Sequence, residues 1–163
     1  MEEKEISGEE EEREQEEEIK TVQLCLFQIL DEEFGIDILQ IQEIIKPQEI
    51  TIVPSSPRFI LGVINLRGMI LPVININSFL GLEEPKDINK GEYLIVRDGK
   101  MLVGITVEAV LDILNVPEKH ISIYEDDNPL RSENYILGKS RVYNREVNLL
   151  DLHRLLEDAK AII

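Results

Sequence analysis

Residues 59–82 read FILGVINLRGMILPVININSFLGL, and Arg67 is the only charge among them. About 20 apolar residues suffice to cross a bilayer, so a membrane span is the first reading to test. Arg67 would lie well inside such a span, at roughly 2.5–3.5 kcal/mol on insertion scales. Asn65, Asn75, Asn77 and Ser78 add to that cost, and Pro72, Gly62, Gly68 and Gly81 interrupt a helix. The stretch is also rich in Val and Ile, which favour strands. It therefore reads as strand, tight turn, strand, with Gly68 supplying the positive φ such a turn often needs. Pro72 removes a ladder donor, which places its strand at an edge or a bulge. Arg67 then stands at an exposed turn between apolar walls.

Outward from this hairpin the period-2 signal recurs. Thr21–Ile29 alternates as a strand buried mainly on one face, Asp31–Glu33 turns, and Phe34–Ile38 returns. Leu39–Ile45 reads as a strand ended by Lys46-Pro47, with Glu43 on the same alternation face as Leu39 and Ile41. Thr51–Pro54 is short and extended. Asn77–Gly81 is expected to be a brief helix closed by glycine. Residues 83–90 form a polar connector. Glu92–Val96 and Met101–Val107 flank Asp98-Gly99, a strong short-turn signal. Residues 108–116 continue extended to Pro117, and 124–134 form a polar loop. Residues 135–143 and 146–150 make a last hairpin turning at Asn144-Arg145. Asp151 caps a C-terminal helix over 151–161 that uses Leu152, Leu155, Leu156 and Ala159.

Many short strands with little helix imply a small barrel or a pair of barrels. The linear division is a first lobe over 20–85 and a second over 86–150, and an exchange of strands between the lobes is compatible with this order. Identity between the halves is too low to mark a repeat.

The chain has 163 residues, enough for a real core, and a net charge of −16. Residues 1–18, MEEKEISGEEEEREQEEE, hold eleven glutamates against Lys4 and Arg13, a net of −9, and the rest carries −7. Such a block cannot bury enough surface to fold alone, so it is expected to be a disordered solubilising tail ahead of the domain at 19–163. The acidic balance, without a basic stripe, argues against nucleic-acid binding and against anionic lipid. No apolar signal-peptide region is present in the tail. The single Cys25 excludes an intrachain disulfide and fits a reducing cytoplasm.

Catalytic chemistry finds little footing. His120 and His153 have no His or Cys at metal-ligand spacing, so no metal and no cofactor are expected. Cys25 sits among apolar residues and reads as a small buried hydrophobe. Phosphate-loop, dinucleotide and nucleophile-elbow motifs are absent. Carboxylate pairs are abundant, but the acidic composition guarantees them. What stands out is on the surface: Arg67, and Glu43 inside the apolar segment Ile41-Gln42-Glu43-Ile44-Ile45. The two could form one ion pair at a lobe junction.

FGIDILQIQEII (34–45), VPSSPRFILGVINLRGMILPVININSFLG (53–81) and LVGITVEAVLDIL (102–114) together resemble the CheW family of bacterial chemotaxis coupling proteins. GVINLRG followed by an apolar-Pro-apolar strand is the most specific part. The resemblance covers roughly 20–160 and leaves the acidic segment without a counterpart. It implies a mainly β fold of two five-stranded SH3-like barrel lobes packed through a third apolar core, with short helices and a C-terminal helix. It implies a non-catalytic adaptor, cytoplasmic and attached to receptor arrays through its partners. Those partners are the histidine kinase CheA, through its regulatory domain, and the signalling tip of methyl-accepting chemoreceptors. Glu43 and Arg67 match positions implicated in coupling, and Ile41, Gly62 and Ile113 match positions linked to receptor or kinase contact. A detached kinase regulatory domain, a CheV-like adaptor lacking its receiver domain, and more remotely an acidic hydrolase are the other readings.

Overall fold

A computed structural model describes residues 20–162 and, ahead of them, Gly8 alone. The expected disorder of residues 1–18 lies outside the described residues. The strands are β1 (Thr21–Ile29), β2 (Glu32–Asp37), β3 (Ile41–Ile45), β4 (Ile60–Leu66), β5 (Met69–Ile74), β6 (Glu92–Asp98), β7 (Met101–Val107), β8 (Ala109–Pro117), β9 (Ile121–Ile123), β10 (Ile136–Val142) and β11 (Arg145–Leu150). Within residues 20–162 the α-helices are α1 (Pro129–Ser132) and α2 (Leu152–Ile162).

The fold is mainly β, in two sheets with a C-terminal helix. One sheet runs β8-β1-β2-β11-β10-β9 and the other β3-β6-β7-β5-β4. The first therefore has six strands rather than five, β9 being a three-residue addition. The sheets do not follow the linear division at residue 85. Each sequential half gives its leading hairpin to one sheet and its next three long strands to the other: β1–β2 joins β8, β10 and β11, while β6–β7 joins β3, β4 and β5.

The two halves are the same unit used twice. Val73 and Ile74 pair in parallel with Gly104 and Ile105, as Asn148 and Leu149 do with Phe34 and Gly35. Phe59-Ile60-Leu61-Gly62 matches Tyr135-Ile136-Leu137-Gly138, each with a register shift between the Ile and the Gly. Ile41–Ile45 matches Val110–Leu114, each with a shift near its start. Both sheets close into barrels by the same device. Thr51 exchanges hydrogen bonds of 2.9 Å with Val63 of β4, and Ser122 pairs with Lys139 of β10. Sequence identity hides this repeat because only a few backbone-critical positions retain it.

Three cores follow from strand alternation. Leu24, Leu26, Val116, Val142, Val147 and Leu149 fill the six-stranded barrel. Ile64, Leu71, Val73, Tyr93 and Ile95 fill the five-stranded one. Between the lobes, Cys25, Phe27 and Phe34 from one sheet meet Leu94, Val96 and Ile105 from the other, sealed by Leu152, Leu155 and Leu156 of α2. β1 and β6 are thus covered on both faces. Asp151 caps α2, its Oδ1 accepting from Arg154 N at 3.3 Å.

Local differences have local causes. Ile38–Gln40 forms a 3-10 turn, not the start of a strand, because Asp37 Oδ1 accepts from Leu39 N at 2.9 Å. Asn77–Gly81 is a turn without a helix, held by Asn77 Nδ2 donating to Glu83 O at 2.8 Å. The loop at 124–134 contains α1, capped by Asn128 and opened by Pro129. The last hairpin turns at Tyr143-Asn144, one residue early, both at positive φ. β5 is an internal strand, yet it tolerates Pro72. Opposite it, Val63 commits its N–H and C=O to Thr51, and pairing with β7 begins only at Val73.

Candidate functional site

Arg67 and Gly68 form the turn of the β4–β5 hairpin with φ of 51° and 85°. Asn65 Oδ1 fixes this turn by accepting from Gly68 N at 2.8 Å. Positive φ at two successive residues is the geometry whose twist matches a hairpin. It aims the Arg67 side chain out of the barrel, where Nη2 meets Glu43 Oε1 at 2.5 Å. The Arg67 side chain is 71 % exposed and that of Glu43 26 %. This hydrogen bond, with the attraction of the carboxylate, holds the Arg67 guanidinium above its ordinary pKa. An exposed, solvent-screened pair of this kind contributes little to stability. It does give a fixed direction to two charges.

Glu43 reaches that place through a bulge. Ile41 pairs with Val96 and Glu43 with Ile95, so Gln42 is extruded. Arg97 Nη2 holds the extruded side chain by donating to Gln42 Oε1 at 2.7 Å. The bulge corrects the simple alternation expected from sequence. Ile41 now packs with Ile44 against the core between the lobes, while Ile45, two residues beyond Glu43, faces the barrel interior. Glu43 and Arg67 both belong to the five-stranded lobe, so their pair spans β3 and the β4–β5 turn rather than joining the lobes.

Gly62 is placed differently from a contact residue. It is buried at φ +147°, and a Cβ there would lie 2.3 Å from the Thr51 carbonyl oxygen. The absence of a side chain is what lets Thr51 close the barrel. Ile113 lies on β8 in the other sheet, opposite Cys25, and is 43 % exposed. The structure thus brings Glu43 and Arg67 into contact, sets Ile41 behind them, and leaves Ile113 on the second lobe.

Several exposed apolar side chains escape the sequence reading. Met69 and Ile70 follow the Arg67 turn directly, and Leu39, 88 % exposed, precedes β3. They sit in apolar segments whose pattern alone does not say which face stays uncovered.

Cys25 is fully buried. Burial, and secondarily the charge of Glu92, push its thiol up to about 11. Among the described residues, ligand atoms of Asp98, His153 and Glu157 lie within 4.8 Å of one another. Sequence spacing could not assemble this group, because Asp98 comes from β6 and the others from α2. An ammonium already serves it: Lys160 Nζ is 2.6 Å from Asp98 Oδ2 and 3.8 Å from Glu157 Oε1. That pairing with Asp98 raises the Lys160 pKa and latches α2 to the end of β6. No described helix is long and apolar enough to cross a membrane.

Comparison with known proteins joins these features. A family model described as a CheW-like domain matches residues 23–160. The chemotaxis protein CheW of Helicobacter pylori is 33% identical over 147 residues, covering 88% of this chain and 86% of that protein. The CheW of Thermotoga maritima is 29% identical over 140 residues, covering 86% and 91%. The crystal structure of the scaffolding protein TtCheW from Thermoanaerobacter tengcongensis superposes with a TM-score of 0.72 at 28% identity, covering 83% of this chain and 88% of that one. The chemotaxis protein CheV3 of Helicobacter pylori matches over only 42% of its own length. With its paired barrels and the model match over nearly all described residues, the chain belongs to the family of CheW-like domains.

Proposed function

We propose that this protein is a non-catalytic adaptor of a chemotaxis pathway, working in the cytoplasm by coupling methyl-accepting chemoreceptors to the regulatory domain of the histidine kinase CheA. The observation that carries this reading is the Glu43–Arg67 pair, an oriented acid and base beside the exposed Met69 and Ile70. An apolar surface docks many partners weakly; fixed charges within it select one partner and set its register. Glu43 and Arg67 carry the coupling contact. Ile41 supports Glu43 from the core side, and Ile113 supplies an apolar contact on the second lobe. Gly62 acts indirectly, by keeping the barrel closed under the β4–β5 hairpin. No cofactor or metal takes part.

The test is titration of Glu43→Lys and Arg67→Glu against the kinase regulatory domain and a receptor signalling tip, separately and together. Each reversal should keep the fold and weaken at least one partner by about 30-fold or more, the effect of breaking a desolvated interfacial charge pair. Wild-type affinity for every partner in both variants would overturn the assignment.

A further inference from the structure

The Glu43–Arg67 pair cannot order itself. The long Arg67 side chain is 71 % exposed, and an exposed ion pair barely offsets the entropy of holding two side chains in one geometry. The backbone works against order as well. A φ of 51° is uncommon for a bulky residue, and asparagine, aspartate or glycine adopts it more readily at the first position of such a turn. Glu43 is better held, because Ile41 and Ile44 on either side of it are in register with Val96 and Leu94 of β6. The seat of Arg67 therefore depends on its turn. Asn65 Oδ1 accepts from Gly68 N at 2.8 Å, a bond that brackets Arg67 from both sides along the chain.

The other lobe shows that the hairpin does not need this bond. Leu66 pairs with Met69 across the Arg67-Gly68 turn, as Val142 does with Arg145 across Tyr143-Asn144. Asn65, opposite Ile70, thus corresponds to Arg141, opposite Glu146. An arginine side chain has no acceptor to offer a turn N–H, yet Tyr143 reaches a φ of 47°. Of the two turns, only the one that carries the ion pair has the acceptor behind it. We propose that Asn65 is a positioning residue, which seats the Arg67 guanidinium against Glu43 before any partner arrives. Its value to a partner rests on the coupling role of Glu43 and Arg67, and lies in lowering the ordering cost of binding. Asn65 is itself exposed beside Ile70, so the test separates seating Arg67 from touching the partner directly.

The first measurement is nitrogen-15 NMR of the full chain without partners. The Arg67 side-chain N–H signals should exchange slowly in the wild type and quickly in Glu43→Gln, which defines the unpaired state. Asn65→Ala should free the Gly68 amide to exchange and move the Arg67 signals to their unpaired values, with a melting temperature close to wild type. Asn65→Ser, whose hydroxyl serves the same turn role more weakly, should lie in between. Arg67 signals that stay paired in Asn65→Ala would overturn the proposal. So would a melting temperature many degrees lower, because the bond would then be holding the hairpin and not the arginine. The second measurement is titration with the kinase regulatory domain and the receptor signalling tip. Asn65→Ala should weaken binding by about 3- to 10-fold, the cost of ordering one long side chain at an interface. In an Arg67→Ala background the same change should have almost no effect, since residues that act as one unit are not additive. Equal losses in both backgrounds would make Asn65 a contact in its own right and overturn the seating role. Wild-type binding by Arg67→Ala would instead sink the coupling role, and the signals of the free protein would still decide whether Asn65 seats the pair.

Discussion

The turn Arg67-Gly68 in one lobe and the turn Tyr143-Asn144 in the other occupy the same place in the repeated unit and share the same left-handed backbone, with φ of 51° and 85° against 47° and 63°. Their partners correspond too. Glu43 pairs with Ile95 on β6, and Asp112 with Leu26 on β1, each just past a bulge. Yet only one lobe joins its acid to its turn. Arg67 meets Glu43 at 2.5 Å, whereas Tyr143 offers no cation and Asp112 Oδ1 accepts from Ile113 N. The same backbone unit folds with the ion pair and without it. The pair is therefore not a requirement of the barrel, which leaves the recognition role proposed for it as the reading to test.

The glycines test whether the lobes are equivalent in architecture. A Cβ at Gly62 would lie 2.3 Å from Thr51 O, and one at Gly138 would lie 2.1 Å from Ser122 O. Gly62→Ala and Gly138→Ala should each cost about 3–5 kcal/mol, in the range reserved for broken structural devices. Chemical denaturation would measure both. Tolerance at one position and collapse at the other would break the equivalence.

A second experiment tests the inequivalence. Arg67→Glu should lower partner affinity by about 30-fold or more with a melting temperature close to wild type. The matched change Tyr143→Glu in the other lobe should leave that affinity within a few-fold. Equal losses would mean that both turns dock partners. Restoring Glu43→Lys with Arg67→Glu should recover part of the loss if the two act as a pair, a coupling that a double-mutant cycle reads.

The core between the lobes gives a pH signature. Burial pushes the Cys25 thiol from its ordinary 9.0 up to about 11 in the fold. Its folded pKa is raised, so below pH 9 both states hold the proton and stability is unaffected. Between 9 and 11 the unfolded chain loses the proton first, and stability falls as pH rises. That difference corresponds to about 2–3 kcal/mol at most. Lys160, also raised, acts in the same direction, its contribution lost only as the pH climbs past 10.5. Denaturation midpoints from pH 8 to 11 should decline, and Cys25→Ala should flatten the first part of the decline.

The smallest effect is expected from removing residues 1–18. They carry charge of one sign and almost no apolar area, and surface ion pairs are worth about 0–1 kcal/mol each. The melting temperature should change by a few degrees at most, and a shift of many degrees would show extensive packing on the lobes.

Much of this was legible in the sequence, for identifiable reasons. Positive-φ demands at Gly68 and Gly99 and the alternation of β1, β6 and β7 report on local backbone, so the hairpins could be read directly. Arg67 and Glu43 stood out because charge in an apolar run is conspicuous. The strand exchange between lobes was not legible, because each half contains a complete set of strands whichever partner it finds. The bulge at Gln42 was hidden as well. A register shift is a property of two strands, and neither Ile41 nor Glu43 announces it. Gly62 looked like a docking position by resemblance, but its role in closing the barrel depends on Thr51 arriving from elsewhere.

The crossing of each half into both sheets has a consequence during synthesis. Of the described strands the β1–β2 hairpin leaves the ribosome first, but its neighbours β8 and β11 begin only about 70 and about 110 residues later, which at about 5–20 residues per second are waits of roughly 4–14 s and roughly 5–22 s. Through that interval both edges of the hairpin stay open and its apolar faces uncovered, conditions that invite pairing with other chains. The five-stranded lobe, whose strands β3 to β7 are contiguous in the chain, can close during the wait and present Leu94 and Val96 as a template. The first strands made are thus the last to be completed, so synthesis should be most vulnerable to aggregation before residue 150 emerges.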